Sequence, residues 1–254
     1  MIAVLVARNT FREAIRDRVI AGVFCAGLVL LLATQVLSPL AMGEGRRLTV
    51  DLGLSGISLL GVLVTLLAGG SLVAKEIERR TIFNLLSRPI ARPHYLIGKW
   101  LGMTAALWIV TAGLGVVLWA LLAARGFAAH ALSLLQSVYL TGLELALIAA
   151  LAVMFSALST PVLSALYTLG AYLVGQWSDD LRAYAEKLPP ALASTMQALA
   201  NLVPNLPLFN MRTLAANGET TSLLHLGLAT AYALAYCACV LSLAAAAFES
   251  RDFK

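Results

Sequence analysis

The residues able to perform acid–base, nucleophilic or metal chemistry are few and scattered in this sequence. No Gly-x-x-x-x-Gly-Lys-Ser/Thr loop is present to bind a nucleotide phosphate, and the Gly98-Lys99 pair is followed by Trp100. The chain also has no His-Glu-x-x-His zinc motif, no Cys-x-x-Cys pair and no Gly-x-Ser-x-Gly nucleophile motif. We therefore expect no catalytic residue, no metal site and no cofactor bound by this chain.

Glu144 is the exception, because it is a carboxyl group within a long, otherwise uncharged stretch. A carboxylate at the centre of a membrane span costs roughly 2.5–3.5 kcal/mol on insertion scales, so it should face a helix bundle or a wet cavity. One interpretation places Glu144 on a substrate pathway with Gln136 and Thr141. The other makes it a protonated side chain hydrogen-bonded between helices, with the same two neighbours as helpers. Both interpretations stay open at this point.

The composition predicts that the elements around Glu144 are membrane helices. The 254 residues are 60% hydrophobic and only 12% charged, with a mean hydropathy of +0.87. Soluble domains are about half apolar and about a quarter charged, so this chain has too little polar surface for a water-soluble fold. The basic residues give a net charge of +5 but lie in short runs between uncharged stretches, which argues against a nucleic-acid partner. We expect one all-α, polytopic domain covering residues 1–254.

Six stretches have the length of a membrane span. Crossing the hydrocarbon core takes about 20 apolar residues. The predicted spans are residues 19–41, 52–74, 100–124, 132–158, 161–177 and 220–248, with the break between the fourth and fifth at Ser159-Thr160-Pro161. Twelve Lys and Arg residues lie on the side of the termini and six on the other, so the positive-inside rule puts both termini in the cytoplasm.

Two further segments are expected outside the spans. Residues 1–18 combine apolar residues at helical spacing with a cationic arc, which predicts an amphipathic helix lying in the membrane interface. The simpler alternative is a positively charged flank that only sets the topology. Residues 178–221 form an extracytoplasmic segment rich in Asn, Pro and apolar residues, and we expect short helices or re-entrant pieces there. The candidate outer gate within it consists of Asn201, Pro204, Asn205 and Pro207.

The remaining loop, residues 75–99, is predicted to be cytoplasmic. It places four large apolar residues, Ile82, Phe83, Leu85 and Leu86, between charged flanks. Such a cluster on a soluble surface is typical of a segment that fills a partner's pocket. The alternative is a helix that lies on the bilayer or packs on its own bundle.

This loop resembles the one between the second and third spans of type-2 ATP-binding-cassette exporter permeases. That family has a Glu-x-x-x-Gly-Thr run, two leucines, Pro, Arg and then Gly-Lys. The matching residues here are Glu76, Thr81, Leu85, Leu86, Pro89, Arg92, Gly98 and Lys99, and Arg80 replaces the glycine. Among subgroups, the chain most resembles the permease of the nitrous-oxide-reductase maturation transporter.

The resemblance implies a non-catalytic subunit of an ATP-driven transporter in the bacterial inner membrane. A separate cytoplasmic ATPase subunit would hold ATP and Mg²⁺ and bind a coupling helix. The contact residues implied are Glu76, Glu78, Arg79, Thr81, Ile82, Phe83, Leu85 and Leu86. A second permease copy, identical or homologous, would complete the path, and membrane lipids would surround it. Two other readings remain: a gradient-driven secondary transporter, and a membrane scaffold that transmits ATPase motion to a periplasmic partner.

Overall fold

The computed structural model describes residues 2–41, 43–74, 92–127, 130–187, 189, 193–197, 201 and 203–249. These residues form helices and connecting turns, with no strand among them. The α-helices are α1 (Ile2–Arg16), α2 (Arg18–Leu37), α3 (Gly45–Val64), α4 (Arg92–Ala123), α5 (Ala131–Leu158), α6 (Pro161–Gln176), α7 (Ser178–Ala185), α8 (Arg212–Asn217) and α9 (Leu223–Glu249). A π-helical turn at Thr65–Gly69 extends α3, and 3₁₀ turns lie at Ser38–Ala41 and Pro207–Phe209. The prediction of an all-α protein is confirmed.

Five of these helices are long and apolar enough to cross a membrane. They are α2, α3 with its π-helical turn, α4, α5 and α9. The predicted fifth span corresponds to α6, which has only 16 residues. At about 1.5 Å per residue α6 is about 24 Å long, shorter than the roughly 30 Å hydrocarbon core. A multi-pass membrane protein is therefore confirmed, while the count of six full spans stays a prediction.

The break between the fourth and fifth predicted spans lies where the sequence predicts it. Helix α5 ends at Leu158 and α6 begins at Pro161. Proline suits the first position of a helix, because its missing N–H would have no partner there in any case. The Ser164 hydroxyl then donates to the Ala152 carbonyl across the turn, at 3.4 Å. The two helices are therefore antiparallel neighbours.

Helix α5 is the centre of the bundle. It packs against α3, α4, α6, α8 and α9, and 78% of its most apolar window is buried inside the protein. A helix that is hydrophobic all round is suited to burial on every side. Small residues on α5 and on its neighbours permit the close approach, as at Gly61, where an added methyl would collide with Leu145. Any polar side chain in the middle of α5 must consequently find its partners on these neighbours.

Helix α4 begins earlier than the sequence predicts. We expected a loop through Lys99, whereas the helix starts at Arg92. Pro93 does not prevent this, because it lies in the first turn, where a helical N–H has no intrahelical acceptor. The predicted loop is therefore helical over residues 92–99, and residues 75–91 lie outside the described residues.

Helix α1 exists as predicted and docks on the first turns of α4. A methyl group added at Gly98 would lie 2.7 Å from Val6 Cβ, and one at Gly102 would lie 2.5 Å from the Ala7 carbonyl oxygen. Glycine is required at both positions, because backbone atoms of α1 lie too close for any side chain. Whether α1 lies in the membrane interface stays a prediction.

Candidate functional site

The buried carboxyl group of Glu144 joins three helices. Glu144 is the fourteenth of the 28 residues of α5, and only 3% of it is exposed. The Ser58 hydroxyl of α3 donates to Oε2 at 3.3 Å, and the Gln176 amide of α6 donates to Oε1 at 2.7 Å. Each carboxyl oxygen therefore has a neutral donor from a different helix. This satisfies the polar group without an ion pair in direct contact.

A cationic side chain from the predicted extracytoplasmic segment approaches the same cluster. Arg212, the first residue of α8, lies within electrostatic range of Glu144, and its Nη1 donates to the Ser55 hydroxyl at 3.4 Å. Ser55 and Ser58 lie one turn apart on α3, so they share a face. Tyr172, one turn before Gln176 on α6, also lies within electrostatic range of Glu144 and Arg212. The cluster therefore connects the middle of the bundle to α8.

The short length of α6 determines where this cluster lies. Gln176 is the last residue of α6, yet its side chain reaches the middle of α5. About 20 Å of α5, from Glu144 back to Ala131, therefore extends beyond the end of α6. Helix α5 packs there against α8 and the Pro207–Phe209 turn. Parts of the predicted extracytoplasmic segment thus occupy the space that a longer α6 would fill.

Three of the four candidate gate residues pack into this space. The Asn205 N–H donates to the Tyr232 hydroxyl at 2.9 Å, and the Ser178 hydroxyl donates to Asn205 Oδ1 at 3.3 Å. Tyr232 is the tenth residue of α9, so Asn205 lies about 14 Å along that helix from its start. Pro204 is buried and Pro207 begins the 3₁₀ turn, whereas Asn201 is exposed. The segment therefore packs between α6 and α9 at Asn205, and whether it is re-entrant stays a prediction.

Aromatic and apolar side chains close the packing around Asn205. Leu206 and Phe209 are almost completely buried, and the Phe209 ring packs on Tyr232 with centroids 6.2 Å apart. A methyl group added at Gly175, near the end of α6, would lie 2.9 Å from Leu206 Cδ1. The space beside α5 beyond the end of α6 is therefore filled by protein side chains.

Gln136 and Thr141 share a helix with Glu144 but do not contact its carboxyl group. The Gln136 amide makes a two-point contact with the Thr221 backbone: it donates to the carbonyl at 3.2 Å and accepts from the N–H at 2.8 Å. Thr141 donates to the Ser137 carbonyl within α5. In this conformation Gln136 holds the start of α9 to α5. The donors to Glu144 are Ser58 and Gln176 instead.

Ser58 and Gln176 lie far from Glu144 along the chain and could not be assigned to it from the sequence, and neither could Arg212. Ser58 lies 86 residues and Gln176 lies 32 residues from Glu144 along the chain. Serine is common in membrane helices, so Ser58 carries no signal by itself. Gln176 carries a weak one, since it is an amide at the end of an apolar run and needs a partner if buried.

A second polar contact lies beyond the π-helical turn that extends α3. The Val73 and Ala74 N–H groups both donate to the Ser156 hydroxyl of α5, each at 3.0 Å. These two hydrogen bonds attach Val73 and Ala74 to α5. The next described residue is Arg92, where α4 begins. All eight predicted ATPase contacts, Glu76 to Leu86, lie outside the described residues. Within the described part of the chain, no three His, Cys, Asp or Glu residues are grouped as a metal site.

The fold and this site define a multi-pass, all-helical membrane protein with a polar cluster at mid-bundle, of the kind that transport proteins contain. The chain belongs to the family described as ABC-2 family transporter protein, whose model matches residues 4–253. It is therefore a membrane permease component of an ABC transporter, a type of subunit that is generally non-catalytic. Membership also implies partnership with an ABC ATPase subunit and a dimeric assembly. Among curated proteins, none matches this chain.

Proposed function

We propose that this chain is the permease subunit of an exporter in the bacterial inner membrane, driven by a separate cytoplasmic ATPase subunit. The match of residues 4–253 to the ABC-2 family carries the proposal. Two permease copies pair around a central path, with both termini of each in the cytoplasm. ATP and Mg²⁺ bind the ATPase subunit, and this chain supplies no group to hydrolysis. Within the family, we assign the chain to the subgroup that resembles the permease of the nitrous-oxide-reductase maturation transporter.

The two ends of the predicted coupling segment support a mechanical connection between the ATPase contact and helices α5 and α4. Residues 75–91 begin after Ala74, which is hydrogen-bonded to Ser156 on α5, and they end at α4. A force on Phe83 and its apolar neighbours would reach α5, and with it Glu144, through the first attachment. The second attachment would transmit it to α4 and to the docked α1. Packed helices and interfaces change between discrete arrangements, so ATP binding on the partner subunit can switch the permease bundle between two conformations.

The cluster around Glu144 supports a role as a polar contact on the substrate path. The carboxyl group lies at the depth where α6 ends and the Asn205 segment begins. Separating α6 from α5 would break the Gln176 contact and expose the carboxyl group to whatever enters the path. In the conformation described above, Ser58 and Gln176 satisfy Glu144, and the segment above it occupies the outlet. We interpret this as the closed state of the proposed outer gate.

The two other functions predict different biochemistry. A gradient-driven transporter needs no bound ATPase and more polar groups at mid-membrane than Glu144 and its partners. A scaffold for a periplasmic partner would keep the ATPase but would show no cargo stimulation of ATP hydrolysis. The family assignment favours an ATPase-linked function, and the buried carboxyl group favours transport over a scaffold.

The test targets the segment predicted to bind the ATPase. Phe83→Ala should weaken co-purification of the ATPase subunit or uncouple hydrolysis from transport, because truncating a large buried interface residue costs about 2 kcal/mol or more. Glu78→Gln is the matched control, since a charge at the rim of an interface mainly affects association rate. Normal assembly and coupling in Phe83→Ala would refute the ATPase contact and remove the main reason for preferring an ATP-driven permease.

A further inference from the structure

Helix α1 uses only one side for packing inside the protein. Thr10 and Ala14 are buried, and the backbone near Ala7 lies directly against Gly102 of α4. These residues follow one another at spacings of three and four, so they define a single face. That face carries small side chains and holds the helix against α4, while the opposite face has no partner among the described residues.

The opposite face of α1 combines positive charge with exposed apolar side chains. Arg8, Arg12 and Arg16 recur every fourth residue and are all exposed. The apolar residues around them are exposed as well: Val4 by 66%, Leu5 by 61% and Ile15 by 43%. Glu13 lies one turn before Arg16, at the edge of the row, whereas Arg8 and Arg12 have no acidic residue three or four positions away on α1. A surface of this kind fits a partner that offers both negative charge and hydrocarbon.

The position of α1 relative to two membrane helices selects that partner. Only Asp17 separates α1 from α2, and its carboxylate accepts from the Val19 N–H to cap α2. Helix α4 has 32 residues and is about 48 Å long, so roughly its first and last 9 Å extend beyond a 30 Å hydrocarbon core. Gly98 and Gly102, where α1 docks, lie about 9 Å and 15 Å from the start of α4. With α4 centred in the core, Gly98 lies level with the boundary between headgroups and acyl chains and Gly102 lies about 6 Å inside it, within the depth of roughly 5–10 Å that amphipathic interfacial helices reach.

We propose that the Arg8–Arg12–Arg16 row binds the phosphate groups of anionic phospholipids, while Val4, Leu5 and Ile15 contact their acyl chains. This rests on the proposed placement of α1 at the membrane interface. Guanidinium groups pair well with phosphate, because their fork of donors matches its oxygens. An acidic protein surface would satisfy the arginines but would leave large exposed apolar side chains without a hydrocarbon partner. The row gives the permease a site for anionic lipid beside α4, the helix that follows the predicted coupling segment.

The test measures lipid selection by the permease alone, without an ATPase subunit. The purified protein in a non-ionic detergent is mixed with equal amounts of phosphatidylglycerol and phosphatidylcholine of identical acyl chains, and bound lipids are counted by native mass spectrometry. The wild type should prefer phosphatidylglycerol. Each arginine near an anionic surface contributes about fivefold, so Arg8→Gln/Arg12→Gln should reduce the preference on the order of 25-fold.

Two further variants make the result specific. Arg47→Gln/Lys187→Gln removes the same charge from exposed residues outside α1 and should keep the preference. Arg8→Lys/Arg12→Lys retains the charge and should keep most of it, which separates charge from a folding defect. An unchanged preference in Arg8→Gln/Arg12→Gln, an equal loss in the control pair, or no preference in the wild type would overturn the proposal. Because no ATPase is present, failure of the ATPase contact would leave this measurement unaffected.

Discussion

Replacing Gly102 with alanine should separate α1 from α4. The added methyl would lie 2.5 Å from the Ala7 carbonyl oxygen, 2.7 Å from Thr10 Cβ and 3.0 Å from the Phe11 nitrogen. Two of these three atoms belong to the α1 backbone, which cannot rotate away as a flexible side chain can. The whole helix must therefore shift, and the apolar contacts of Thr10 and Ala14 with the bundle loosen with it.

The size of the effect follows from two opposing terms. Overpacking a well-packed contact typically costs about 1–3 kcal/mol. Alanine in place of glycine in a helix favours the folded state by about 1 kcal/mol. Gly22 in α2 supplies the second term alone, because a methyl added there meets no atom within 4 Å. The difference in unfolding free energy between Gly22→Ala and Gly102→Ala should therefore be about 1–3 kcal/mol, with Gly102→Ala the less stable.

Unfolding and local accessibility should both be measured. The free energy of unfolding is obtained by titrating the detergent-solubilised protein with sodium dodecyl sulfate. Docking of α1 is followed with Thr10→Cys in a background where the three native cysteines are replaced by alanine. Thr10 is 1% exposed, so the thiol should react slowly with maleimide while α1 is docked and much faster after Gly102→Ala.

Equal stability of the two alanine variants would contradict this reasoning, and so would slow labelling at position 10 in both. Both results together would mean that α1 does not contact α4 through Gly102. The lipid-binding face of α1 would then lose the orientation on which it depends. Faster labelling without a stability difference would show instead that α1 contributes little to the fold.

Two predictions concern polar contacts inside the bundle. Gln136→Leu removes both hydrogen bonds to Thr221 and should lower the unfolding free energy by about 1–3 kcal/mol, measured by the same titration. Glu144→Gln should keep most of the stability, because an amide can still pair with Ser58 and with a reoriented Gln176, but it should change transport or cargo-stimulated ATP hydrolysis. Glu144→Leu should lose about 1–3 kcal/mol for each buried donor left unpaired.

Controls for these variants come from the chain itself. Among the described residues, the Gln35 side chain makes only a 3.4 Å contact with the neighbouring Thr34 hydroxyl, and its backbone carbonyl, which accepts from Arg125, is kept in Gln35→Leu. This substitution should therefore cost much less than Gln136→Leu. Equal losses for the two glutamines would rule out a special role for the contact with Thr221. Wild-type transport by a stable Glu144→Gln protein would make Glu144 a helix–helix hydrogen-bond partner only, and it would leave the list of pathway residues.

The candidate site was predictable only at its centre. Glu144 was identifiable because a carboxyl group in an uncharged stretch is costly wherever that stretch crosses a membrane. Its partners were not, and the neighbours expected as helpers on α5 hydrogen-bond elsewhere. Which residues of other helices contact a given side chain depends on how the helices pack, and not on their distance along the chain. Ser58 and Gln176 are therefore identifiable only in the folded bundle.

The sequence by itself determined the class of structure. Long apolar stretches must form helices in a membrane because every backbone polar group needs an internal partner there, so the helices follow from composition and length alone. Pro161 and the polar residues before it likewise determine where α5 ends and α6 begins. Only the tertiary structure decided that α6 ends level with Glu144, that the segment around Asn205 packs beside it, and that α1 docks at Gly102. These features depend on close approach between helices, and close approach is decided by the shapes of facing side chains, which periodicity and hydropathy do not encode.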